Sequence, residues 1–135
     1  MGSLHSAPKI DGTFYPIADN YRSLRDLQQG LKRAGLESSE LIIGVDFTKS
    51  NIYNGLKSFN SKSLHATFEE VMNPYQFVLK MICQSLSTFD DDHKIPCYGF
   101  GCSNTRDKKL FTFKDGDEPC YGLEQVQVCL SAICK

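Results

Sequence analysis

The sequence predicts an α/β domain that forms the N-terminal half of a doubly wound, mostly parallel sheet and leaves that sheet incomplete. Residues 40–46 are almost wholly apolar and rich in β-branched side chains, as expected for a strand buried on both faces of a parallel sheet. A helical pattern at residues 74–89 and a second apolar strand at residues 95–101 follow. This order of strand, helix and strand is typical of a parallel crossover unit.

Length and charge limit the classes of function. The chain has 135 residues, of which 41% are hydrophobic, enough for one domain with its own core. It carries 15 basic and 16 acidic side chains without a basic stripe, so we expect no nucleic-acid partner. No stretch approaches the roughly 20 apolar residues that cross a bilayer, and the N-terminus lacks the apolar core of a secretory signal. We therefore expect an intracellular protein of the cytoplasm, the plasma membrane periphery and also the nucleus.

Residues 1–20 are polar and aperiodic and are predicted to form a flexible arm ahead of a domain at residues 21–135. The arm begins with Met1-Gly2-Ser3-Leu4-His5-Ser6, which fits the acceptor pattern for myristate on Gly2. The alternative is a start methionine followed by disordered small residues or a cloning remnant. A single myristoyl chain gives only marginal, reversible membrane contact.

A short amphipathic helix is predicted to open the domain. Ser23 stands three residues before Asp26, as an N-cap residue does, and the Ala34-Gly35 pair marks the end of the helix. Three leucines between these signals follow helical spacing: Leu24, Leu27 and Leu31. The strand at residues 40–46 comes next and is expected to be the centre of the domain.

The segment between the first two strands is predicted to begin as a loop and to end as a helix. Residues 47–72 are rich in Asn, Ser and Gly, which favours a long loop with a short helix near residues 64–70. Asn73 is the predicted N-cap of the next helix and Pro74 its first residue. The apolar positions of this helix recur at helical spacing: Phe77, Val78, Met81, Ile82, Leu86 and Phe89.

Two further strands and a helix complete the order. Residues 95–101 are the second strand, residues 109–113 form a third strand hairpinned to it, and residues 122–133 begin a final helix. The crossover rule places the second strand beside the first and the third strand outside it. The Gly99-Phe100-Gly101 end of the second strand lacks the third glycine and the opening helix of a nucleotide fingerprint.

Three features that could indicate other chemistry are given structural interpretations. The cysteines contain no Cys-x-x-Cys pair and lie away from the histidines, so we predict small buried hydrophobes rather than a disulfide framework or a zinc site. These cysteines are Cys83, Cys97, Cys102, Cys120, Cys129 and Cys134. Asp90-Asp91-Asp92 lacks the spacing, glycine and glutamate of an EF-hand and is predicted to be a solvated turn. His65 is predicted to be a surface or packing histidine rather than a general base.

The most informative motif follows the first strand directly. Asp46, Thr48 and Ser50 place one carboxylate and two hydroxyls at alternate positions of the loop. Magnesium and manganese prefer such oxygen ligands in a near-octahedral shell, and a tight loop that leaves a strand can direct all three at one point. The alternative is that Asp46 and Thr48 only turn the chain or cap the structure that follows.

Several separated motifs occur along the chain in a fixed order: residues 36–51, Ser58-Phe59-Asn60, Ser63-Leu64-His65, Asn73-Pro74-Tyr75 and residues 89–101. Together they resemble a copine-type von Willebrand factor A domain. Two further stretches, Ile17-Ala18-Asp19-Asn20-Tyr21 and Gly35-Leu36-Glu37-Ser38-Ser39, are more similar to the plant RING-domain ubiquitin ligases of the RGLG type than to copines. The resemblance covers about residues 17–126.

The resemblance implies a metal-dependent protein-binding module of a ligase whose RING finger recruits the ubiquitin-conjugating enzyme. It therefore implies protein partners, either substrates or ubiquitin-pathway proteins. Asp46, Thr48 and Ser50 would be the first-loop ligands of a metal-ion-dependent adhesion site for magnesium or manganese, with Thr48 in place of the usual serine. Members of this ligase family also carry an N-terminal myristoylation signal, which favours lipidation of Gly2 and peripheral membrane contact.

The departures from the family affect the expected activity. A complete adhesion site takes a threonine from a second loop and an aspartate from a third, and the resemblance implies positions for both beyond the last helix. The RING is missing as well, and residues 128–135 differ from the family's continuation. We expect a fragment, a truncated gene product or a spliced form, with a weak metal site and no catalysis by this chain alone.

Three other hypotheses stay open. The chain could be a copine-like membrane-associated protein, although residues 1–20 are too short for the lipid-binding domains that precede the A domain in copines. It could be a small nucleotide-binding enzyme or hydrolase of doubly wound type, against which the missing phosphate loop argues. It could also be a fragment without a function of its own.

Overall fold

The computed structural model describes residues 20–134. The chain forms two compact units, one that ends at Glu37 and one that begins at Ser38. The predicted lipidation site Gly2, with the arm up to residue 19, lies outside the described residues.

The first unit contains helix α1, Leu24–Arg33. The Ser23 hydroxyl accepts a hydrogen bond from the Asp26 backbone N–H at 3.1 Å, which satisfies one of the free donors of the first turn. Ala34 caps the other end, and Gly35 turns the chain away with a φ of 97°. The prediction of a helix between Ser23 and Gly35 is confirmed.

The second unit is built on a three-stranded mixed sheet. Strand β1, Ile43–Asp46, pairs in parallel with β3, Cys97–Phe100, so that Ile43 lies opposite Cys97. Strand β4, Phe111–Thr112, is antiparallel to β3 on its other side. The observed order β1-β3-β4 confirms the predicted neighbours of the first strand. Among the described residues β1 has a strand partner on one side only.

A second, two-stranded sheet corrects the prediction of a single strand at residues 95–101. Strand β2, Lys94–Ile95, pairs antiparallel with β5, Cys120–Tyr121. Pro96 separates β2 from β3, because proline has no N–H to contribute to a ladder. The sequence predicted neither β5 nor the single 3₁₀ turn at Asp115–Asp117. The described architecture is therefore mixed α/β with two small sheets, and the finer expectation of a doubly wound sheet stays a prediction.

Helices α3, Pro74–Leu86, and α4, Gly122–Ile133, begin where the sequence predicts them. The Asn73 side chain accepts a hydrogen bond from the Gln76 backbone N–H, and the Gln76 side chain accepts one from the Asn73 N–H, both at 2.9 Å. This reciprocal capping box explains why α3 starts at residue 74.

The predicted helix near residues 64–70 is wrong, and a helix stands earlier in the same segment. Helix α2 is Ser50–Ser58, and residues 64–70 contain a turn and a bend but no helix. A Cβ on Gly55 would lie 1.9 Å from the Lys62 carbonyl oxygen, because the chain after α2 folds back against it. Gly55 has a low helix propensity, but this tight contact requires a glycine at its position in α2.

The core of the second unit lies between the sheet and helices α3 and α4. Its buried apolar residues are Ile43, Val45, Leu79, Cys83, Phe89, Ile95, Cys97, Phe113, Cys120, Val126 and Leu130. Cys83, Cys97 and Cys120 are thus buried as predicted, whereas the other three free cysteines are only partly buried.

Two predicted apolar faces are corrected by the pattern of burial. Strand β1 is buried through Ile43 and Val45, whereas Ile42, the residue directly before it, is 64% exposed. Helix α3 buries Leu79 and Cys83, so most of its predicted apolar face is exposed. Those exposed side chains are Phe77, Val78, Met81 and Ile82. Sequence spacing shows that α3 is amphipathic, but the choice of buried stripe depends on how the helix lies against the sheet.

Candidate functional site

The loop that leaves β1 brings the three predicted ligand residues together. The Thr48 backbone N–H donates a hydrogen bond of 2.7 Å to Asp46 Oδ1. The hydroxyl oxygens of Thr48 and Ser50 are also 2.7 Å apart. Two neighbouring ligands of an octahedral magnesium ion are separated by about 3 Å, given metal–oxygen distances of about 2.1 Å. The spacing of the two hydroxyls is thus compatible with adjacent positions around one ion.

The Asp46 carboxyl group is held in its charged form. Hydrogen bonds from the Thr48 backbone N–H, and next from the Thr48 hydroxyl, keep the pKa of Asp46 below its ordinary value. The carboxylate is therefore ionised at neutral pH, as a metal ligand must be. The contact to the Thr48 N–H is also that of a simple Asx turn, so the loop geometry alone is consistent with both interpretations of the motif.

Asn51 fixes the shape of this loop from within α2. Its side chain is buried, and its amide donates hydrogen bonds to the backbone carbonyls of Asp46 at 3.0 Å and of Thr48 at 3.1 Å. Its amide oxygen accepts a hydrogen bond of 2.8 Å from the Tyr75 hydroxyl at the start of α3. Asn51 therefore links the loop to two helices.

His65 supports the same loop from the other side. Its ring stacks between Phe47, with centroids 4.5 Å apart, and Tyr75, with centroids 4.0 Å apart. Its Nε2 lies 2.6 Å from the Asp46 backbone oxygen, and because a carbonyl only accepts, Nε2 carries the proton. Burial lowers the pKa of His65, which favours the neutral ring. The prediction of a packing histidine is confirmed.

Cys134 is the one thiol next to this histidine among the described residues. Its Sγ lies 3.8 Å from His65 Nδ1. Burial raises the pKa of Cys134 to about 11, so the thiol keeps its proton near neutral pH. A neutral thiol beside a neutral imidazole is a weak hydrogen bond, whereas nucleophilic catalysis by cysteine uses a thiolate.

The end of β3 packs against the loop, which gives the Gly99-Phe100-Gly101 motif a structural role. The Phe47 backbone N–H donates to the Phe100 carbonyl at 2.8 Å. Gly101 has a φ of 80°, and a Cβ on it would lie 2.4 Å from the Thr48 side-chain methyl. Only glycine therefore fits this position without displacing Thr48.

The Asp90-Asp91-Asp92 segment differs in part from the solvated turn that the sequence predicts, because Asp91 and Asp92 form an exposed bend whereas Asp90 is buried. Asp91 accepts a hydrogen bond of 2.9 Å from the Ser38 hydroxyl, and Asp92 accepts one of 3.0 Å from the Lys94 backbone N–H. Within residues 20–134 no three His, Cys, Asp or Glu side chains are grouped so that they could hold a metal ion. The Asp46 loop is outside that class, since it offers one carboxylate and two hydroxyls.

The spacing of Asp46, Thr48 and Ser50 was enough to predict that they converge, but not which residues hold them. The sequence places Asn51 in the predicted loop, predicts a surface or packing role for His65 and assigns no role to Tyr75. All three occur in the motifs that carry the family resemblance, which is the one signal in the sequence that could have indicated them. The contact of His65 with Asp46 spans 19 residues and that of Tyr75 with Asn51 spans 24, so local patterns do not show these two contacts.

The fold and the loop together define a class: an α/β domain similar to von Willebrand factor A domains, with a carboxylate and hydroxyl loop at the carboxyl end of a parallel strand. Residues 63–135, more than half of the chain, match the copine family. The chain belongs to the copine family.

The most informative relatives are plant proteins. The chain is 49% identical over 124 residues to E3 ubiquitin-protein ligase RGLG5 of Arabidopsis thaliana, an alignment that covers 92% of the chain and 28% of that protein. It is 48% identical to RGLG1 of the same plant over 87% of the chain and 24% of that protein. Copine family protein 2 of Caenorhabditis elegans is 38% identical over 93% of the chain and 2% of its own length. The chain thus spans about a quarter of the length of these plant relatives.

Proposed function

We propose that this chain is a metal-dependent protein-binding module that acts in protein ubiquitination. The observation that carries the proposal is the convergence of the Asp46 carboxylate with the Thr48 and Ser50 hydroxyls at the end of β1. The ion would be magnesium or manganese, both of which prefer oxygen ligands. It would supply a positive centre that a carboxylate of a partner protein can coordinate.

The relatives support the pathway rather than a catalytic step. Five plant proteins between 46% and 50% identical to the chain are named as E3 ubiquitin-protein ligases. The proposed role of this chain is to bind a substrate or another ubiquitin-pathway protein. We propose no catalytic role for the Cys134 and His65 pair, because burial raises the pKa of the thiol and lowers that of the ring, so both stay neutral.

The proposed affinity for the ion is weak. The three ligands carry one negative charge between them, and magnesium gives up its water shell reluctantly. Water or a partner's carboxylate would fill the other positions. We expect a dissociation constant of about 0.1–1 mM or weaker, the weak end of the range for oxygen-ligand sites.

Calorimetry with magnesium and manganese tests this proposal on the chain, on Asp46→Ala and on Glu69→Ala. Glu69 is an exposed carboxylate outside the loop, so its loss controls for a general effect of charge. We expect weak binding that Asp46→Ala abolishes and Glu69→Ala preserves. Micromolar binding that survives Asp46→Ala would show that the ion binds elsewhere and that the proposal is wrong.

We also propose that Gly2 is myristoylated and that the chain divides between the cytoplasm and the plasma membrane periphery, with the nucleus as a further location. The support is the acceptor pattern of the first six residues. Within the described part of the chain, no helix has both the length and the apolar character needed to cross a membrane.

A further inference from the structure

An open cleft lies beside the Asp46 loop, between the start of α2 and the loop that follows β3. Lys49 and Ile52 line one side, and Gly101, Cys102 and Arg106 line the other. We call it the basic cleft. Its volume of about 630 Å³ is in the range of sites that hold small ligands, and it can accept several side chains of a peptide.

The lining of the basic cleft contains two cations and no carboxylate. Lys49 and Arg106 are both exposed, and neither forms an ion pair with a described residue. Lys49 Nζ lies 6.0 Å from the centre of the Tyr53 ring, a contact that leaves its charge available to a ligand. Of the three proposed metal ligands, Thr48 lines the cleft, whereas Asp46 and Ser50 do not.

The positive charge continues beyond the cleft. Arg106 also borders a second groove, together with Lys108, Lys109 and Leu110. Leu110 is 64% exposed, so an apolar surface stands next to these cations. Asp107 is the one carboxylate that lines this groove. A ligand that complements both regions carries several negative charges with apolar groups between them.

We propose that the basic cleft binds an acidic, extended segment of a partner protein. Carboxylates of that segment pair with Lys49 and Arg106, and an apolar side chain packs against Ile52, which is 47% exposed. The inference deepens the proposed function, since it names the chemistry of the partner. The two cations act whether or not an ion is bound at Asp46, and a bound divalent ion adds positive charge beside them.

The test uses a fluorescent peptide that alternates Glu with Leu, and a matched peptide in which Gln replaces each Glu. Fluorescence anisotropy follows binding to the full 135-residue chain and to its Lys49→Gln and Arg106→Gln variants. Lys57→Gln is the matched control, because Lys57 is an exposed lysine of α2 that does not line the cleft. Circular dichroism confirms that each variant stays folded.

We expect the Glu peptide to bind and the Gln peptide to bind much more weakly. Each cleft substitution should weaken binding by about two- to fivefold, as for one exposed ion pair, whereas Lys57→Gln should leave it unchanged. Raising salt from about 0.01 M to 0.15 M should also weaken it, since the screening length falls from about 30 Å to 8 Å. Equal binding of both peptides, or equal losses in all three variants, would overturn the proposal.

Cys102 provides an independent measure of where the peptide binds. Hydrogen bonds from the Thr105 side chain, and next from backbone N–H groups of the same turn, lower the pKa of Cys102, and the thiol lines the cleft. Iodoacetamide should therefore label Cys102, and the Glu peptide should protect it. Binding without protection would place the peptide elsewhere and contradict the proposal.

Further measurements distinguish a failure of this inference from a failure of the proposed metal dependence. If the peptide binds equally to Asp46→Ala and in the presence of EDTA, the acidic partner is supported and the metal dependence fails. If magnesium binds at Asp46 but no acidic peptide does, the metal site is supported and the cleft inference fails. Binding to phosphatidylserine vesicles without peptide binding would assign the cleft to membranes and overturn the inference.

Discussion

Asn51→Ala should destabilise the second unit far more than the removal of a neighbouring asparagine. The buried side chain makes three short hydrogen bonds, to the carbonyls of Asp46 and Thr48 and from the Tyr75 hydroxyl, besides a longer one of 3.5 Å to Asp46 Oδ1. Each short bond contributes about 1 kcal/mol net, so the free energy of unfolding should fall by about 2–3 kcal/mol. The loss is not larger because both carbonyls keep another donor, the His65 ring and the Asn51 backbone N–H respectively.

Urea denaturation followed by circular dichroism measures this change. Asn54→Ala is the matched control, because Asn54 is an exposed residue of the same helix, and its replacement should change stability by less than about 0.5 kcal/mol. Tyr75→Phe, which removes only the bond from the Tyr75 hydroxyl, should lower the free energy of unfolding by about 1 kcal/mol. In the double variant the two losses should not add, because both remove the same bond. Equal effects of Asn51→Ala and Asn54→Ala would refute the role of Asn51.

Three further predictions concern single positions. In urea denaturation, Gly101→Ala should lower the free energy of unfolding by more than the roughly 1–2 kcal/mol of left-handed backbone strain, because the new methyl group also clashes with Thr48. Gly116 has a φ of 73° and open space around it, so Gly116→Ala should lower it by the strain alone. Mass spectrometry after iodoacetamide treatment at pH 7 should find Cys102 modified first, because its lowered pKa gives more thiolate at that pH. Faster labelling of a buried thiol would contradict this prediction. Metabolic labelling with a myristate analogue should mark the chain and not Gly2→Ala, while equal labelling of both, or none of either, would count against acylation.

The elements that the sequence predicts well are those with strong local signals. Helix α1 has Ser23 as its cap, α3 has Asn73 and Pro74, and both begin where these residues predict. The neighbours of β1 follow from the order of strands and one crossover rule. In these cases the information lies within a few residues of the element.

The errors arise where contacts with residues outside an element decide its structure. Helix α2 contains Asn51 and Gly55, which disfavour a helix locally, yet the first bonds the Asp46 loop and the second makes room for the chain that returns past it. For β1 the apolar composition predicted burial on both faces, but Ile42 is exposed. An apolar composition indicates that a strand can be buried. Which of its faces is buried depends on elements from other parts of the chain.

The candidate site divides in the same way. Alternation of Asp46, Thr48 and Ser50 along one loop was sufficient to predict their proximity, since the loop is short. The supports from His65 and Tyr75 come from residues 19 and 24 positions away from their partners, so they require the folded structure.

Manganese titration observed by NMR tests the metal site most directly, because the paramagnetic ion broadens the amide signals nearest to it. We expect the signals of residues 46–50 to broaden first. Asp46→Asn should abolish this selectivity, since its amide oxygen can still accept the hydrogen bond from Thr48 but the negative charge is gone. That variant therefore separates a metal ligand from a simple turn. Broadening that begins instead at Asp90-Asp91-Asp92, or that is unchanged in Asp46→Asn, would contradict the assignment of the ion to this loop.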